Sequence, residues 1–271
     1  MDTNLLLPAF PTVWASEWGE DEFGLYLDLD FQNVIQRFRW IAPGSFLMGS
    51  PESEPERDVD ETQHQVILTQ GFWFADSTCN QALWVAVMGN NPTYFQDSLD
   101  YPVEQVSWDE VQAMIRQLNA LIPDLQARLP TEAEWEYACR AGTTTPFSFG
   151  ETITPEQVNY DGNYPYAGTE KGLARRKTVP VKSLPPNPWG LYEMHGNVWE
   201  WCSDWYGVYP TTAVTDPLGP AAGEFRVLRG GSLNSYAGRS RSAIRFRHGP
   251  GLRYFSIGFR LVLDPGRGSN P

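Results

Sequence analysis

Alternation of apolar and polar residues predicts a β-hairpin near the start of the chain. In FGLYLDLDFQNVIQRFRWI, residues 23–41, apolar and polar side chains alternate over much of the length. Successive side chains of a strand point to opposite faces, so this pattern is typical of half-buried strands. We therefore predict a hairpin-like pair of strands here, which ends at the turn sequence APGS.

Two later segments have the spacing of amphipathic helices. In SWDEVQAMIRQLNALI the apolar residues recur at helical intervals, and Ser107 and Glu110 form a capping-box pattern. In LPTEAEWEYACRAG the pair Thr131 and Glu134 repeats that pattern, and Gly142 ends the run. We predict two main helices.

The remainder of the chain favours an α+β fold with much irregular structure. After Gly142 the sequence is rich in Gly, Pro, Asn and aromatic residues and contains only short strand-like pieces. Long irregular stretches need metal ions, aromatic packing or buried hydrogen bonds to stay ordered. We expect a single domain over residues 23–263, with an N-terminal extension at 1–22 and a C-terminal tail at 264–271.

Composition narrows the classes of partner. The chain has 271 residues, and its 33 acidic against 20 basic residues give a net charge of -13. Because binding to phosphates requires basic surface, we expect no nucleic-acid partner. No apolar run is long enough to span a membrane, and the start of the chain does not resemble a signal peptide, so we expect a cytoplasmic protein without a membrane partner. The spacing of the three cysteines fits neither a zinc site nor a disulfide framework.

Arginines recur regularly in the segment GGSLNSYAGRSRSAIRFRHGPGLRYFSIGFR, residues 230–260. They are Arg239, Arg241, Arg245, Arg247, Arg253 and Arg260, and the residues between them follow no periodic order. Arginine can hydrogen-bond several carbonyls and carboxylates at once. We predict that this arginine frame fixes an irregular loop and leaves the intervening side chains free to vary.

Six motifs in fixed order resemble the formylglycine-generating enzyme (sulfatase-modifying factor) family over about residues 38–263. The motifs are GSFLMGS, PVEQVSWDEV, RLPTEAEWEYACRAG, NPWGLYEMHGNVWEW, RVLRGGS and GFRLV. The resemblance implies a C-type-lectin-like mixed α/β fold with little regular secondary structure. It also implies oxidation of a cysteine in sulfatases to formylglycine, by copper held between two cysteines.

The copper cysteines of that family are missing here. Counted back from GFR, their positions hold Ala237 and Ser242, which cannot replace thiolates that bind soft Cu(I). Only three histidines are present, without an arrangement typical of an iron site. We therefore expect no copper and no catalytic residues, although an oxidoreductase of this family acting on a peptide cysteine or a small molecule stays an alternative.

The resemblance also implies calcium at the turn HGNVWEW. The matching positions are Glu193, Gly196, Val198 and Glu200, and carboxylates beside backbone carbonyls are the ligands that Ca²⁺ prefers. A second family site would use Asn159 and Tyr160. Its support is weaker, because Leu173 stands where the family has aspartate.

Two other groups of residues have a structural and a functional interpretation. His195 lies in the same turn, and we interpret it as a structural histidine rather than a metal ligand. Trp189, Trp199, Trp201 and Trp205 could form a platform that stacks on sugars. Their density in a region with few regular elements favours a role in the core.

The residues between the frame arginines are candidates for ligand binding. They are Leu233, Asn234, Ser235, Tyr236, Ile244, Phe246, His248, Leu252, Tyr254, Phe255 and Ser256. The arrangement resembles the variable region of proteins diversified by retroelements, which share the lectin-like fold and mutate adenines in asparagine codons. From AAC such mutation reaches all residue types found at positions 234–256 of this set, but not Lys, Glu, Gln, Met or Trp. Tyr, Ser and Asn are also typical of adaptable binding surfaces.

These observations favour a non-catalytic domain that binds a protein or small-molecule ligand through residues 233–256. An ordinary family loop with inherited side chains, and a regulatory subunit docking on a neighbouring protein, are the other interpretations.

Overall fold

The computed structural model describes residues 12–265. Its strands are β1 (Glu17–Asp21), β2 (Gly24–Phe31), β3 (Val34–Ile41), β4 (Gly44–Met48), β5 (His64–Leu68), β6 (Phe72–Ala75), β7 (Ala127–Arg128), β8 (Trp199–Trp205), β9 (Val214–Thr215), β10 (Arg226–Arg229), β11 (Phe246–His248), β12 (Ile257–Phe259) and β13 (Val262–Leu263). Its α-helices are α1 (Gln81–Met88), α2 (Trp108–Leu121) and α3 (Glu132–Arg140). Single turns of 3₁₀-helix lie at Tyr166–Gly168 and Ala237–Ser240.

The predicted hairpin is present as β2 and β3. Their connection is Gln32 and Asn33, which have φ of 53° and 66° and so provide the left-handed pair that a tight hairpin turn requires. Strand β1 pairs with β2 from Glu17 to Asp21, so the domain begins earlier than the predicted boundary at residue 23. This edge strand has the sequence EWGED, in which only the tryptophan is apolar, so it has no alternation of apolar and polar residues to detect. Residues 266–271 of the predicted tail lie outside the described residues.

The capping boxes of α2 and α3 are confirmed. Ser107 and Thr131 each accept a hydrogen bond from the backbone N–H three residues later, and Glu110 and Glu134 return one. Helix α1 was not predicted. Its sequence QALWVAVM is almost entirely apolar, so it has no amphipathic period to read. Asn80 caps its start, and Gly89 ends it with φ of 75°.

Three sheets and the helices enclose three buried apolar clusters among the described residues. The sheets have the orders β1-β2-β3-β6-β13-β7, β11-β10-β8-β12 and β4-β5-β9. Helices α1 and α2 share a buried cluster with β2, β3 and the four-stranded sheet, and α3 packs against β4, β8 and β10. This mixed architecture, with long irregular connections, confirms the predicted α+β fold class. Within residues 12–265, no helix combines the length and apolar character needed to cross a bilayer.

Candidate ligand-binding groove

A groove with a volume of about 440 Å³ is lined by the four-stranded sheet and by two irregular segments of residues 230–260. The lining residues are Trp199, Asn234, Ser235, Tyr236, Arg239, Phe246, His248, Leu252, Tyr254, Ser256 and Ile257. This volume is within the range of pockets that hold small ligands or the side chains of a partner.

Aromatic rings supply much of the groove surface. Phe246 stacks on Trp199 with ring centroids 5.2 Å apart, and His248 meets Phe246 edge-on at 5.5 Å. Tyr236 and Tyr254 leave 43% and 46% of their surface exposed. Such rings offer large contact area with few rotatable bonds, so the groove has rigid anchors for a ligand.

One cation faces this apolar surface. The Nε of Arg239 donates to the Tyr236 hydroxyl at 2.7 Å, and its Nη1 lies 3.1 Å from the Asp58 carboxylate. Burial lowers the pKa of His248, so its imidazole is neutral at physiological pH. The groove therefore combines apolar rings with a single half-exposed guanidinium.

Eight of the eleven predicted ligand-binding residues line the groove. The other three do not. Leu233 and Ile244 are only 3% and 1% exposed and belong to the buried interior, so they are not contact residues. Phe255 packs on Tyr94 and Phe95 at ring distances of 6.0 and 6.1 Å, on a neighbouring aromatic cluster. An irregular segment must also bury some of its apolar side chains, and position in sequence does not tell which.

Trp199, Arg239 and Ile257 line the groove but were not predicted to do so. We assigned Trp199 to the core, and it is 7% exposed, yet its ring supports Phe246. Arg239 was assigned to the arginine frame. Arg239 lies inside residues 230–260, which is a signal in the sequence for a role in the groove, whereas Trp199 lies outside this segment.

Beneath the groove, Arg241 is fully buried among carboxylates. It donates from Nη1 to Glu54 and Glu61 at 2.5 and 2.7 Å, and from Nη2 to Glu61 at 2.6 Å. It also donates to the carbonyls of Gly238 and Glu56. Burial opposes the ionisation of Glu61, but the hydrogen bonds and charge of Arg241 hold its pKa below the ordinary value.

Arg245 and Arg260 are also buried and hydrogen-bonded to carboxylates from distant parts of the chain. Arg245 makes two hydrogen bonds to Glu132, at 2.7 and 2.9 Å, and its guanidinium lies over the Tyr209 ring at 3.7 Å. Arg260 makes two to Glu200, at 2.8 and 3.1 Å, and donates to two backbone carbonyls. These two arginines, with Arg241, form what we call the arginine framework, which ties the irregular segment to the strands and to α3.

Arg229 completes the framework, although the sequence pattern did not include it. It is fully buried, and it donates to the carbonyls of residues 242–244 and to Glu136. By contrast, Arg247 and Arg253 are exposed, and Arg253 pairs with Glu110 at the surface. Of the six arginines in the predicted frame, Arg241, Arg245 and Arg260 are buried, whereas the other three are partly or fully exposed.

The predicted calcium positions lie on the turn before β8 and, for Glu200, at the start of that strand. The Glu193 carboxylate accepts the backbone N–H groups of Lys182 and Leu184, and burial raises its pKa to about 7. Both oxygens of Glu200 accept from Arg260, and one also accepts from the Trp135 indole at 2.7 Å. In this arrangement Glu200 has little remaining capacity for a metal ion.

The weaker calcium position offers a free ligand atom. Asn159 is fully buried, and its Oδ1 has no hydrogen-bond partner among the described residues. Asn159 also pairs with Gly196 through the backbone, so the two predicted calcium positions adjoin. Asn159 fits an oxygen-liganded cation better than Glu200 does, and calcium binding stays a prediction.

The positions of the missing copper cysteines are buried. Ala237 packs in an aromatic cluster, and the Ser242 hydroxyl lies 3.7 Å from the Cys139 thiol. Burial raises the pKa of Cys139 to about 12, so this thiol is not ionised. His195 is hydrogen-bonded to the Ser240 carbonyl at 2.7 Å and to Ser148, and burial lowers its pKa to about 4. These contacts fit its interpretation as a neutral structural histidine.

Comparisons with known proteins give one matching family and several similar structures. A family model described as the sulfatase-modifying factor enzyme 1-like domain matches residues 30–265. The formylglycine-generating enzyme of Streptomyces coelicolor is 40% identical over 175 residues, which are 61% of this chain and 53% of that protein. The enzyme of Mus musculus is 36% identical over 262 residues, 89% of this chain and 66% of that protein. The chain spans about half to two thirds of the length of these relatives.

Among solved structures, Treponema denticola variable protein 1 has a TM-score of 0.75 and 29% identity, over 89% of this chain and 99% of that chain. PvdO from Pseudomonas aeruginosa has a TM-score of 0.71 and covers 92% of this chain and 98% of that chain. At 24% identity, the likeness to PvdO concerns the fold alone.

Proposed function

The chain belongs to the sulfatase-modifying factor enzyme 1-like domain family, and we propose that it is a non-catalytic member that binds a protein or small-molecule ligand through the groove. The observation that carries the proposal is that eight predicted contact residues from separate parts of residues 230–260 meet in one groove. Rigid aromatic anchors around a half-exposed arginine are typical of binding surfaces.

Two further observations support a variable binding surface. The arginine framework holds the backbone through buried contacts that do not involve the groove side chains, so those side chains can change without loss of the fold. The likeness to a protein whose name calls it variable, at 29% identity, points the same way. We propose that the groove positions are diversified, and a reverse transcriptase and a near-identical template in the neighbouring genome are the observations to seek.

Binding can be tested without knowing the ligand. A random peptide library displayed on phage is selected against the wild-type protein, and the enriched peptides are titrated by fluorescence anisotropy. Phe246→Ala and Tyr254→Ala should each weaken binding by more than about tenfold, because anchors of this type contribute about 2 kcal/mol or more. Tyr164→Ala is the matched control, since Tyr164 is exposed and does not line the groove. Peptides that bind all variants equally would place the binding surface elsewhere.

An oxidoreductase is the second candidate, supported by the 36–40% identity to formylglycine-generating enzymes. At the two copper positions this chain carries Ala237 and Ser242, and the Cys139 thiol beside Ser242 is buried and protonated. Consumption of O₂ with a thiol substrate after reconstitution with copper would support this candidate. If the reconstituted protein consumes O₂ no faster than copper alone, the oxidoreductase candidate fails and ligand binding stays the proposed function.

A further inference from the structure

A second cavity, of about 400 Å³, lies away from the groove and from the predicted metal positions. It shares no lining residue with the groove. Much of its wall comes from residues 204–220, and its other side comes from β4, β5 and the start of α3. The apolar lining includes Met48, Ala133, Val208, Val214 and Leu218.

The wall of the second cavity is held in place by backbone pairing. Val214 and Thr215 form β9, which pairs in parallel with β5. The Asp216 carboxylate accepts from the backbone N–H and the hydroxyl of Thr69, at 2.8 and 2.5 Å. Gly219 has φ of 69°, and a Cβ there would stand 3.1 Å from Asp204 Oδ1. The cavity is therefore preformed, with the wall packed closely around Asp204.

Asp204 is a buried carboxylate in this wall and is 4% exposed. Its Oδ2 accepts the backbone N–H of Glu132 at 2.8 Å and the Ser203 hydroxyl at 3.1 Å. No cationic group of residues 12–265 lies within salt-bridge distance of it, whereas the neighbouring Glu132 is paired with Arg245. Burial, and then the charge of Glu132, raise its pKa to about 7. A buried carboxylate without a cation is unfavourable unless something else supplies the charge.

Tyr209 is a second polar residue in the cavity wall, and its hydroxyl is buried. It is 9% exposed, and its hydroxyl lies beside Glu132 without a hydrogen bond of normal geometry to any described residue. Burial raises the pKa of Tyr209 well above its ordinary value, so the hydroxyl keeps its proton. Buried polar groups normally have partners. The cavity thus presents a carboxylate that has no ion-pair partner of its own, beside the Arg245–Glu132 ion pair and within a largely apolar lining.

We propose that the second cavity binds a small ligand that carries a primary ammonium group on an apolar body. The ammonium group lies against Asp204, where it supplies the missing cation and donates hydrogen bonds. The apolar body lies against Val208, Val214 and Leu218. The volume suits a small molecule, and the net charge of -13 attracts cations to the protein as a whole. This site is independent of the function proposed for the groove.

The test compares 2-phenylethylamine with its neutral counterpart 2-phenylethanol by ¹H–¹⁵N NMR titration of the full chain at neutral pH. We expect saturable shifts of the amides of Val208, Val214 and Thr215, and an affinity for the amine at least about tenfold higher than for the alcohol. Equal affinities, shifts confined to the groove, or no shifts at millimolar amine would each overturn the proposal.

Asp204→Asn sharpens the test, because the amide keeps an oxygen for the Glu132 N–H but carries no charge. The affinity for the amine should fall to that for the alcohol, a loss of about tenfold. Asp264→Asn is the matched control, since Asp264 is an exposed carboxylate that does not line the cavity. An unchanged amine affinity in Asp204→Asn would overturn the proposal. If that variant does not fold, the comparison of amine and alcohol in the wild type decides.

Discussion

The two sides of the segment from Gly230 to Arg260 are held by different forces. On the buried side, Arg241, Arg245 and Arg260 each make at least two hydrogen bonds to carboxylates from distant parts of the chain. On the groove side, Tyr236 and Tyr254 are close to half exposed. The fold of the segment thus depends on buried ion pairs, and the groove side chains contribute little to it.

This difference explains how one irregular segment can be both rigid and tolerant of substitution. Loss of one partner of a buried ion pair leaves a charge without compensation, which is strongly destabilising. Loss of a half-exposed side chain exposes little new surface and leaves no polar group unpaired. The following predictions test that division, beginning with the largest effect.

Arg241→Ala should destabilise the protein most. The substitution leaves the carboxylates of Glu54 and Glu61 buried without a cation. We expect the free energy of unfolding to fall by about 3–5 kcal/mol, as measured by urea denaturation. A loss below about 1 kcal/mol would mean that the framework is not what holds the segment.

Calcium should stabilise the protein if the turn around Asn159 and Glu193 binds it. At a free concentration about 100-fold above the dissociation constant, the gain is about 2.7 kcal/mol. Thermal melts with added Ca²⁺, with Mg²⁺ as control and with EDTA measure it. Identical melts of metal-free and Ca²⁺-treated protein would contradict a calcium site at this turn.

Glu104→Gln tests a buried carboxylate that has no arginine. Glu104 accepts two backbone N–H groups, its Oε2 is buried without a described partner, and burial raises its pKa to about 7. Because the pKa in the folded state lies above the unfolded value, the native state binds more protons, and ionisation lowers stability as the pH rises from about 4.5 to 7.

The variant does not ionise, so its stability relative to the wild type should increase over that pH interval, by about 1–3 kcal/mol. Urea denaturation at a series of pH values measures the difference. A difference that does not change with pH would mean that Glu104 has an ordinary pKa in the folded protein.

Tyr254→Ala should change the free energy of unfolding by less than about 0.5 kcal/mol, because the side chain is 46% exposed and makes no polar contact that the fold requires. Circular dichroism melts beside those of Arg241→Ala give the comparison directly. If the two variants unfold at similar temperatures, Tyr254 is part of the core and the division between the two sides is wrong.

Arg253→Ala should have the smallest effect. Arg253 is 58% exposed at its side chain, and its pair with Glu110 is a surface salt bridge. Such pairs contribute about 0–1 kcal/mol, and salt screens them further. A melting temperature close to that of the wild type, in low and high salt, would separate Arg253 from the arginine framework.

Local features of the fold were predictable from the sequence because nearby residues determine them. The hairpin follows from alternation over residues 23–41, and both capping boxes follow from residues three positions apart. Helix α1 was missed because a uniformly apolar sequence has no period. Strand β1 was missed because half-exposed edge strands need no apolar face.

The site was predictable only in part. The regular recurrence of arginines located the segment at residues 230–260, and the residue types between them indicated candidate contact residues. The sequence pattern could not separate Leu233 and Ile244, which are buried, from Tyr236 and Tyr254, which are exposed. An irregular segment has no regular period that assigns its side chains to faces.

The sequence by itself determined the family, the hairpin, the capped helices and the absence of cysteines at positions 237 and 242. Only the tertiary structure decided which arginines are buried, since Glu54, Glu132 and Glu200 reach them from distant parts of the chain. It also decided that Trp199 supports the groove and that Asp204 lines a cavity without an ion-pair partner of its own. Partners far apart in sequence are brought together only by the packing of the whole fold, and their charges and burial follow from that packing.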